Sequence, residues 1–294
     1  MDSALIPQVR SFSRAVTQTI GALHDDYLGR DRPLGESRLL FEIGENGATV
    51  AELRDRLDLD SGYVSRLLRS LERQKLVTTA PSPGDRRIRI ARLTSAGAAE
   101  LESLDRDSDR LAQSILDPLN AEQRSRLAAA MAEVERLLSA ASVRIDQVAP
   151  GSRDAGYCLS RYFAELGERF DQGFDPALSL APTLDGFEPP DGTFLLMRLH
   201  GEPVGCGGFK RDAPGIAYLK RMWVAHETRG LGLGRRLLQE LENRARALGY
   251  RTIRLETQES LKEAQLLYRS SSYREVPRFN DERYAHHWFE KNLR

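Results

Sequence analysis

Apolar residues recur at three- and four-residue spacing through most of the first 145 positions, the period of amphipathic helices. Residues 5–29 read as a first helix, with Leu5, Phe12, Ala15, Val16, Thr19, Ile20 and Leu23 on one broad face. A second helix covers 37–43. A third opens at Thr49, which has Glu52 three residues on, the pattern of a capping box. A fourth, capped by Asp60 or Ser61, runs to about residue 74 and turns Val64, Leu67, Leu68 and Leu71 inward. Two strands, 76–79 and 88–93, flank a turn at 81–87. Two long helices follow, 95–116 and 121–145, with Leu101, Leu104, Leu111, Ile115 and Leu116, then Leu127, Met131, Val134, Leu137 and Leu138, on their apolar faces. After Pro150-Gly151 the pattern changes to a helix at 157–172, strands at 193–199, 204–210 and 217–224, a helix at 235–248, a strand at 252–257, a helix at 262–271 and a last strand at 286–293. Two domains are expected: 1–147, mainly α, and 154–294, α/β with a mixed sheet, joined by a linker at 148–153.

The composition is that of a globular protein, 40% hydrophobic and 29% charged over 294 residues. Net charge is zero, so any polyanion-binding surface has to be local. Cys158 and Cys206 have neither metal-ligand spacing nor the makings of a disulfide framework. His286-His287 lacks companions at ligand spacing, so no metal is expected. Residues 1–10 hold no apolar leader core, and no run approaches the ~18 residues that span a bilayer. A cytoplasmic protein without a membrane partner is the expectation.

Charge gathers on one element of the first domain. Between residues 61 and 92 stand Arg66, Arg69, Arg73, Lys75, Arg86, Arg87, Arg89 and Arg92, opposed by Glu72 and Asp85. The outer face of the fourth helix carries Ser61, Tyr63, Ser65, Arg66 and Arg69, suited to base edges and phosphates. The turn between the two strands is tipped with Arg86 and Arg87. This is the pattern of a helix-turn-helix followed by an arginine-tipped wing.

The stretch 63–72, then Leu76-Val77, the wing Gly84-Asp85-Arg86-Arg87 and the run 93–97 together resemble the MarR family of winged-helix regulators. The resemblance implies that Arg86 or Arg87 enters the minor groove, that Asp85 holds the wing tip, and that the terminal helices of this domain form a homodimer on a double-stranded, pseudo-palindromic DNA operator. Lys75 stands where the family usually has glycine.

In the second domain, Arg229-Gly230-Leu231-Gly232-Leu233-Gly234 lies between the strand 217–224 and the helix that opens near Arg235. Glycines there let backbone N–H groups approach an anion at a helix N-terminus, which makes a pyrophosphate cradle. A dinucleotide fingerprint would need a third glycine at 235 or 237, where Arg235 and Leu237 stand, and no Gly-Lys-Ser/Thr follows. The segment resembles motif A of the GNAT acetyltransferase superfamily. So do Leu219-Lys220-Arg221-Met222-Trp223-Val224, Leu255-Glu256-Thr257, Glu263-Ala264, Leu267-Tyr268 and Tyr273. The resemblance implies an acetyl-CoA cosubstrate held by Met222, Trp223, Val224, Arg229, Gly230, Leu231, Gly232, Leu233, Gly234, Arg235 and Ala264, with Tyr268 as the acid that protonates the departing thiolate. Gln258 and Ser272 stand where relatives often have glycine, and Leu261 replaces an asparagine some members carry.

A neutral primary amine, of a small molecule or a protein, would attack the thioester. A base or a water chain must take its proton. Glu256 and His226 are the candidate bases. Tyr162, Phe163, Arg169, Phe170 and the loop 277–280 are candidates for acceptor recognition, and Arg221 for a substrate carboxylate. The expected function is a DNA-binding regulator that is also an N-acetyltransferase. The alternative is a regulator whose second domain senses an acyl-CoA or an amine without turnover.

Overall fold

In a computed structural model, which describes residues 5–23, 27–181 and 183–293, the chain divides into two units between Met131 and Ala132. In the first, α1 (Leu5–Thr19) ends ten residues before the sequence suggests, just ahead of Gly21 in the left-handed region (φ 67). Of the remainder of that predicted helix, 24–26 lie outside the described residues and Tyr27–Gly29 is a 3-10 turn. Then come α2 (Leu34–Ile43), β1 (Ala48–Thr49), α3 (Val50–Leu57), α4 (Ser61–Arg73), β2 (Val77–Pro81), β3 (Arg89–Leu93), α5 (Ser95–Leu116) and α6 (Ala121–Ser142), whose residues from Ala132 on belong to the second unit.

Local chemistry sets these boundaries. The Thr49 hydroxyl accepts from the Glu52 N–H at 3.1 Å, and the Glu52 carboxylate accepts from the Thr49 N–H at 2.7 Å. Asp60, rather than Ser61, caps α4 by accepting from the Tyr63 N–H at 2.9 Å. Val64, Leu67, Leu68 and Leu71 are buried as the spacing requires, against Leu39, Leu40, Ile43, Leu53 and Val77. β1 has only two residues, too few to leave a period, and joins β3 and β2 in the order β1-β3-β2. Gly97 lies in the first turn of α5 where that helix crosses the start of β2. A Cβ there would stand 2.0 Å from the Leu76 carbonyl oxygen, so only glycine permits the crossing. Neither α1 nor α6 buries a single residue, and Val9, Phe12, Met131, Leu137 and Leu138 are exposed.

The second unit is built on a seven-stranded sheet of order β4-β5-β6-β7-β8-β10-β9. Its strands are β4 (Arg144–Gln147), β5 (Thr193–Leu199), β6 (Glu202–Ala213), β7 (Ile216–Val224), β8 (Thr252–Thr257), β9 (Arg274–Val276) and β10 (His287–Asn292); its helices are α7 (Arg153–Arg169), α8 (Leu233–Ala247) and α9 (Lys262–Ser270). β4 comes before the expected linker at 148–153. Residues 144–147, grouped with the first domain by sequence, pair antiparallel with β5 from Arg144↔Arg198 to Gln147↔Leu195. The helix expected over 121–145 ends instead at Ser142, and its last two positions, 144 and 145, open β4.

Alternation along β5 feeds two cores. Leu195 and Met197 face α8 with Leu237, Leu241, Leu255 and Phe289, while Phe194 and Leu196 face α7 with Cys158, Leu159, Cys206 and Trp223. Lys75 (φ 60) and Ser272 (φ 67), two of the departures from family glycines, both occupy the left-handed region. Among the described residues no helix is long and apolar enough to cross a membrane.

Candidate functional site

β7 and β8 are parallel, and their pairing stops at Tyr218↔Arg254. Beyond it β7 continues to Val224 and β8 to Thr257 without bonding to each other. The separation opens a cleft of about 500 Å³. Its walls include Leu219 to Val224, Thr228 to Gly230, Gly232 to Arg235, Glu256 and Thr257, Ala264 and Tyr268.

The cradle forms for backbone reasons. Gly230 (φ 78) and Gly232 (φ 74) are left-handed, a region that excludes most side chains. Gly232 is the N-cap of α8 and supplies no side-chain acceptor, and the first turn of α8 carries no acid. The leading amides of α8 and the helix dipole are therefore available to an anion. Arg229 braces the loop, donating from Nε to the Val224 carbonyl (3.0 Å) and from its terminal nitrogen to Glu165 (2.6 Å). Arg235 donates to the Ser270 hydroxyl and carbonyl. Of the eleven residues expected to hold the cosubstrate, ten line the cleft; Leu231 instead packs against the α8 core. Leu261, in place of a family asparagine, leaves α9 without a side-chain cap.

Tyr268 is 6% exposed, with its ring 5.7 Å from Tyr273 and 5.8 Å from Phe289. Burial, with the nearby Tyr162 and Glu256, raises its hydroxyl above the ordinary phenol range, so it keeps its proton throughout neutral pH. Glu256 lines the same cleft but is engaged on both oxygens: Lys220 Nζ donates to one at 2.5 Å and Asn280 to the other at 3.4 Å. Lys220 also donates to Glu282 at 2.7 Å. Burial pushes Glu282 up, but Lys220, the Ser179 hydroxyl and the Leu180 N–H outweigh it and hold the carboxyl below the usual range. His226 is exposed and lies outside the lining of the cleft. His286 and His287 face different carboxylates, Glu259 and Glu275.

The expected acceptor residues are only partly brought together. Tyr162, Arg169 and Phe170 line the cleft, and Phe163 lies under the Arg221 guanidinium at 4.7 Å. The loop 277–280 does not line it; Asn280 works behind it, bonded to Tyr218, Glu256 and Trp288. Ser179, Phe174, Glu282 and Tyr284 do line it and left no signal in the sequence, since each depends on a loop folding over the sheet. Arg136 was also missed; its guanidinium comes within 3.4 Å of where a Cβ on Gly230 would stand.

In the first unit, α4 and the wing enclose a groove of about 350 Å³ lined by Ser65, Arg69, Thr79, Arg87 and Arg89 among others. Ser61, Tyr63, Arg66 and Arg86 are exposed outside that lining, with Arg66 over the Tyr63 ring at 5.4 Å. Asp85 accepts from the Arg87 side chain at 3.1 and 3.0 Å and from its backbone N–H at 2.9 Å, and these bonds hold the Asp85 carboxyl below its usual range. The side chain of Arg87 is nevertheless 91% exposed, presented at the wing tip.

Fold and sites define a two-part protein: a winged helix-turn-helix, then a mixed-sheet fold with an anion cradle at the β7–α8 turn. The model of the acetyltransferase (GNAT) family matches residues 159–273, and that of the MarR family matches 29–88. An uncharacterized N-acetyltransferase, YjgM of Escherichia coli, is 30% identical over 120 residues, 38% of this chain and 70% of that protein. An IAA acetyltransferase of Azospirillum brasilense is 45% identical over 69 residues, 23% of this chain and 45% of that protein. The uncharacterized HTH-type transcriptional regulator YdgJ of Bacillus subtilis is 31% identical over 86 residues, 29% of this chain and 51% of that protein. The chain thus spans about half the length of several curated relatives it matches. It belongs to the GNAT acetyltransferase family, and residues 29–88, ahead of that domain, match the MarR-family model.

Proposed function

We propose that the protein is a DNA-binding regulator and an N-acetyltransferase that moves acetyl from acetyl-CoA to a primary amine of a small molecule or protein. The observation that carries the enzyme reading is the pairing, in one cleft, of the uncapped α8 N-terminus with a protonated, buried Tyr268. Acetyl-CoA supplies the activated acyl group and a thiolate leaving group. The amides of residues 233–235 bind its pyrophosphate, and the unpaired edge of β7 beyond Tyr218 holds the pantetheine arm. Attack by the amine forms the C–N bond and breaks the C–S bond, and Tyr268 gives its proton to the sulfur. With both oxygens of Glu256 engaged, we assign it to holding Lys220 rather than to proton abstraction; the amine proton leaves through water in the cleft.

Thiol release from acetyl-CoA across amino acids, polyamines, aminoglycosides and a lysine-bearing peptide tests this reading, with turnover of one class expected. Calorimetric binding of acetyl-CoA without release by any amine would leave the sensor alternative.

The exposed arginines of α4 and the wing support DNA binding. Changing Arg87 to Ala is expected to weaken binding to a 30-bp duplex and to reduce the salt slope by about one. An unchanged slope would remove the wing from the interface. The uncovered apolar residues of α1 and α6 support a homodimer, so sedimentation equilibrium should give twice the 33.0 kDa chain mass. A single-chain mass at micromolar concentration would refute it.

A further inference from the structure

Two buried polar atoms of residues that line the cleft lack any hydrogen-bond partner, and they have opposite demands. Arg221 is 4% exposed, and its Nε–H donates to nothing; Glu282 is 5% exposed, and its Oε1 accepts from nothing. Both residues line the cleft. The same short stretch, 179–181, bonds to both. The Ala181 carbonyl accepts from an Arg221 terminal nitrogen, while the Ser179 hydroxyl (2.8 Å) and Leu180 N–H (3.1 Å) donate to Glu282 Oε2. The neighbour of Arg221 in β7, Lys220, is the other partner of that carboxylate.

The sequence has gone to some length to put Arg221 here. It is a non-glycine residue in the left-handed region (φ 62), at a point where the β6–β7 register slips between Cys206 and Gly208. Its guanidinium is fixed over the Phe163 ring. A buried donor and a buried acceptor, both unsatisfied, are costly unless a ligand completes them.

Resting on the acetyl-transfer reading of this cleft, we propose that the acceptor is an amino carboxylate bound as its zwitterion. Its carboxylate takes the Arg221 Nε–H, and its ammonium donates to Glu282 Oε1. A polyamine would leave Nε unsatisfied and meet the arginine's charge. A dicarboxylate without an amine would meet Glu256 and Glu282. A neutral amide matches the donor and acceptor pattern but forgoes two charge-assisted bonds. Phe170, Phe174 and Tyr284 form a continuous aromatic cluster on the same cleft, which suits an apolar side chain on the amino acid.

The test is calorimetry on the full chain saturated with CoA. Free amino acids of the aromatic, aliphatic, acidic and basic classes are titrated, each beside its decarboxylated amine, its deaminated acid and its amide. At least one amino acid should bind on the order of 10²-fold more tightly than its three counterparts. Arg221→Gln should bring that amino acid down to the level of the amine, and Glu282→Gln should bring it down to the level of the acid, with acetyl-CoA affinity unchanged in both. If either variant fails to fold, the wild-type comparison decides alone. Counterparts that bind as well as the amino acids, or amino acids that do not bind, overturn the proposal. Thiol release separates the two readings. A tightly bound amino acid without release sinks turnover but not the zwitterion site, whereas equal kcat/KM for amines without a carboxylate sinks the zwitterion site but not turnover.

Discussion

Replacing Tyr268 with Phe is expected to lower kcat for thiol release by on the order of 10²-fold and to leave acetyl-CoA affinity unchanged. The ring packs against Tyr273 and Phe289 in a buried site, and phenylalanine keeps that packing while removing only the hydroxyl. Binding should survive because the proposed cosubstrate contacts lie elsewhere, in backbone groups of the 229–235 loop and the α8 N-terminus. The loss should also be uniform with pH. Burial keeps the wild-type hydroxyl protonated well above neutrality, so the ratio of wild type to variant is expected to be constant from pH 6 to 9. Steady-state kinetics in that range, with calorimetric titration of acetyl-CoA, check both points. Turnover that survives the change would remove Tyr268 as the acid. A loss confined to KM for acetyl-CoA would recast it as a binding residue.

Lys220→Met should destabilise the second unit by about 3–5 kcal/mol, because it strips the cation from two buried carboxylates. The three side chains are only 11%, 3% and 4% exposed (Lys220, Glu256 and Glu282), so water cannot replace the lost partner. The pH dependence should change sign as well. In the wild type, the Glu282 carboxyl is held below its ordinary value of 4.5, so its contribution is present above that value and lost as pH falls through the folded one. Without Lys220, burial dominates and raises the Glu282 carboxyl. Its protonated form is then the compatible one, and stability is present at low pH and lost as pH rises. The variant is expected to be more stable near pH 5 than near pH 8, the reverse of the wild-type trend on acidification. Urea unfolding at a series of pH values measures this directly, and parallel curves for the two proteins would mean that the triad is not the electrostatic unit described here.

Local interactions carry their own signature and are legible in the sequence. The capping box at Thr49 and Glu52, the inward set on α4 and the arginine-tipped wing are each contained within a few consecutive residues. So is the glycine cradle, where the need for left-handed backbone at Gly230 and Gly232 is written into the residue type. Long α5 and strands such as β5 and β8 were readable because their periods repeat enough times to be unambiguous. Short elements were not: β1, β4 and β9 have two to four residues and exist only because a neighbouring strand supplies their hydrogen bonds.

The interior of the cleft was the least legible. Glu282 and Ser179 are 103 residues apart, and Lys220 and Glu282 are 62 apart, yet one carboxylate joins all three. Nothing in their local sequence marks them, since a buried charge acquires its partners from the sheet and the loops that close over it. The sequence by itself determined the two domain classes, the left-handed glycine turn before α8 and the arginine-tipped wing, all of which depend on residue type and near-neighbour spacing. Only the tertiary structure decided that Glu256 is engaged by Lys220 and that Arg221 Nε and Glu282 Oε1 are buried without partners, because those facts depend on which distant segments the fold brings into contact.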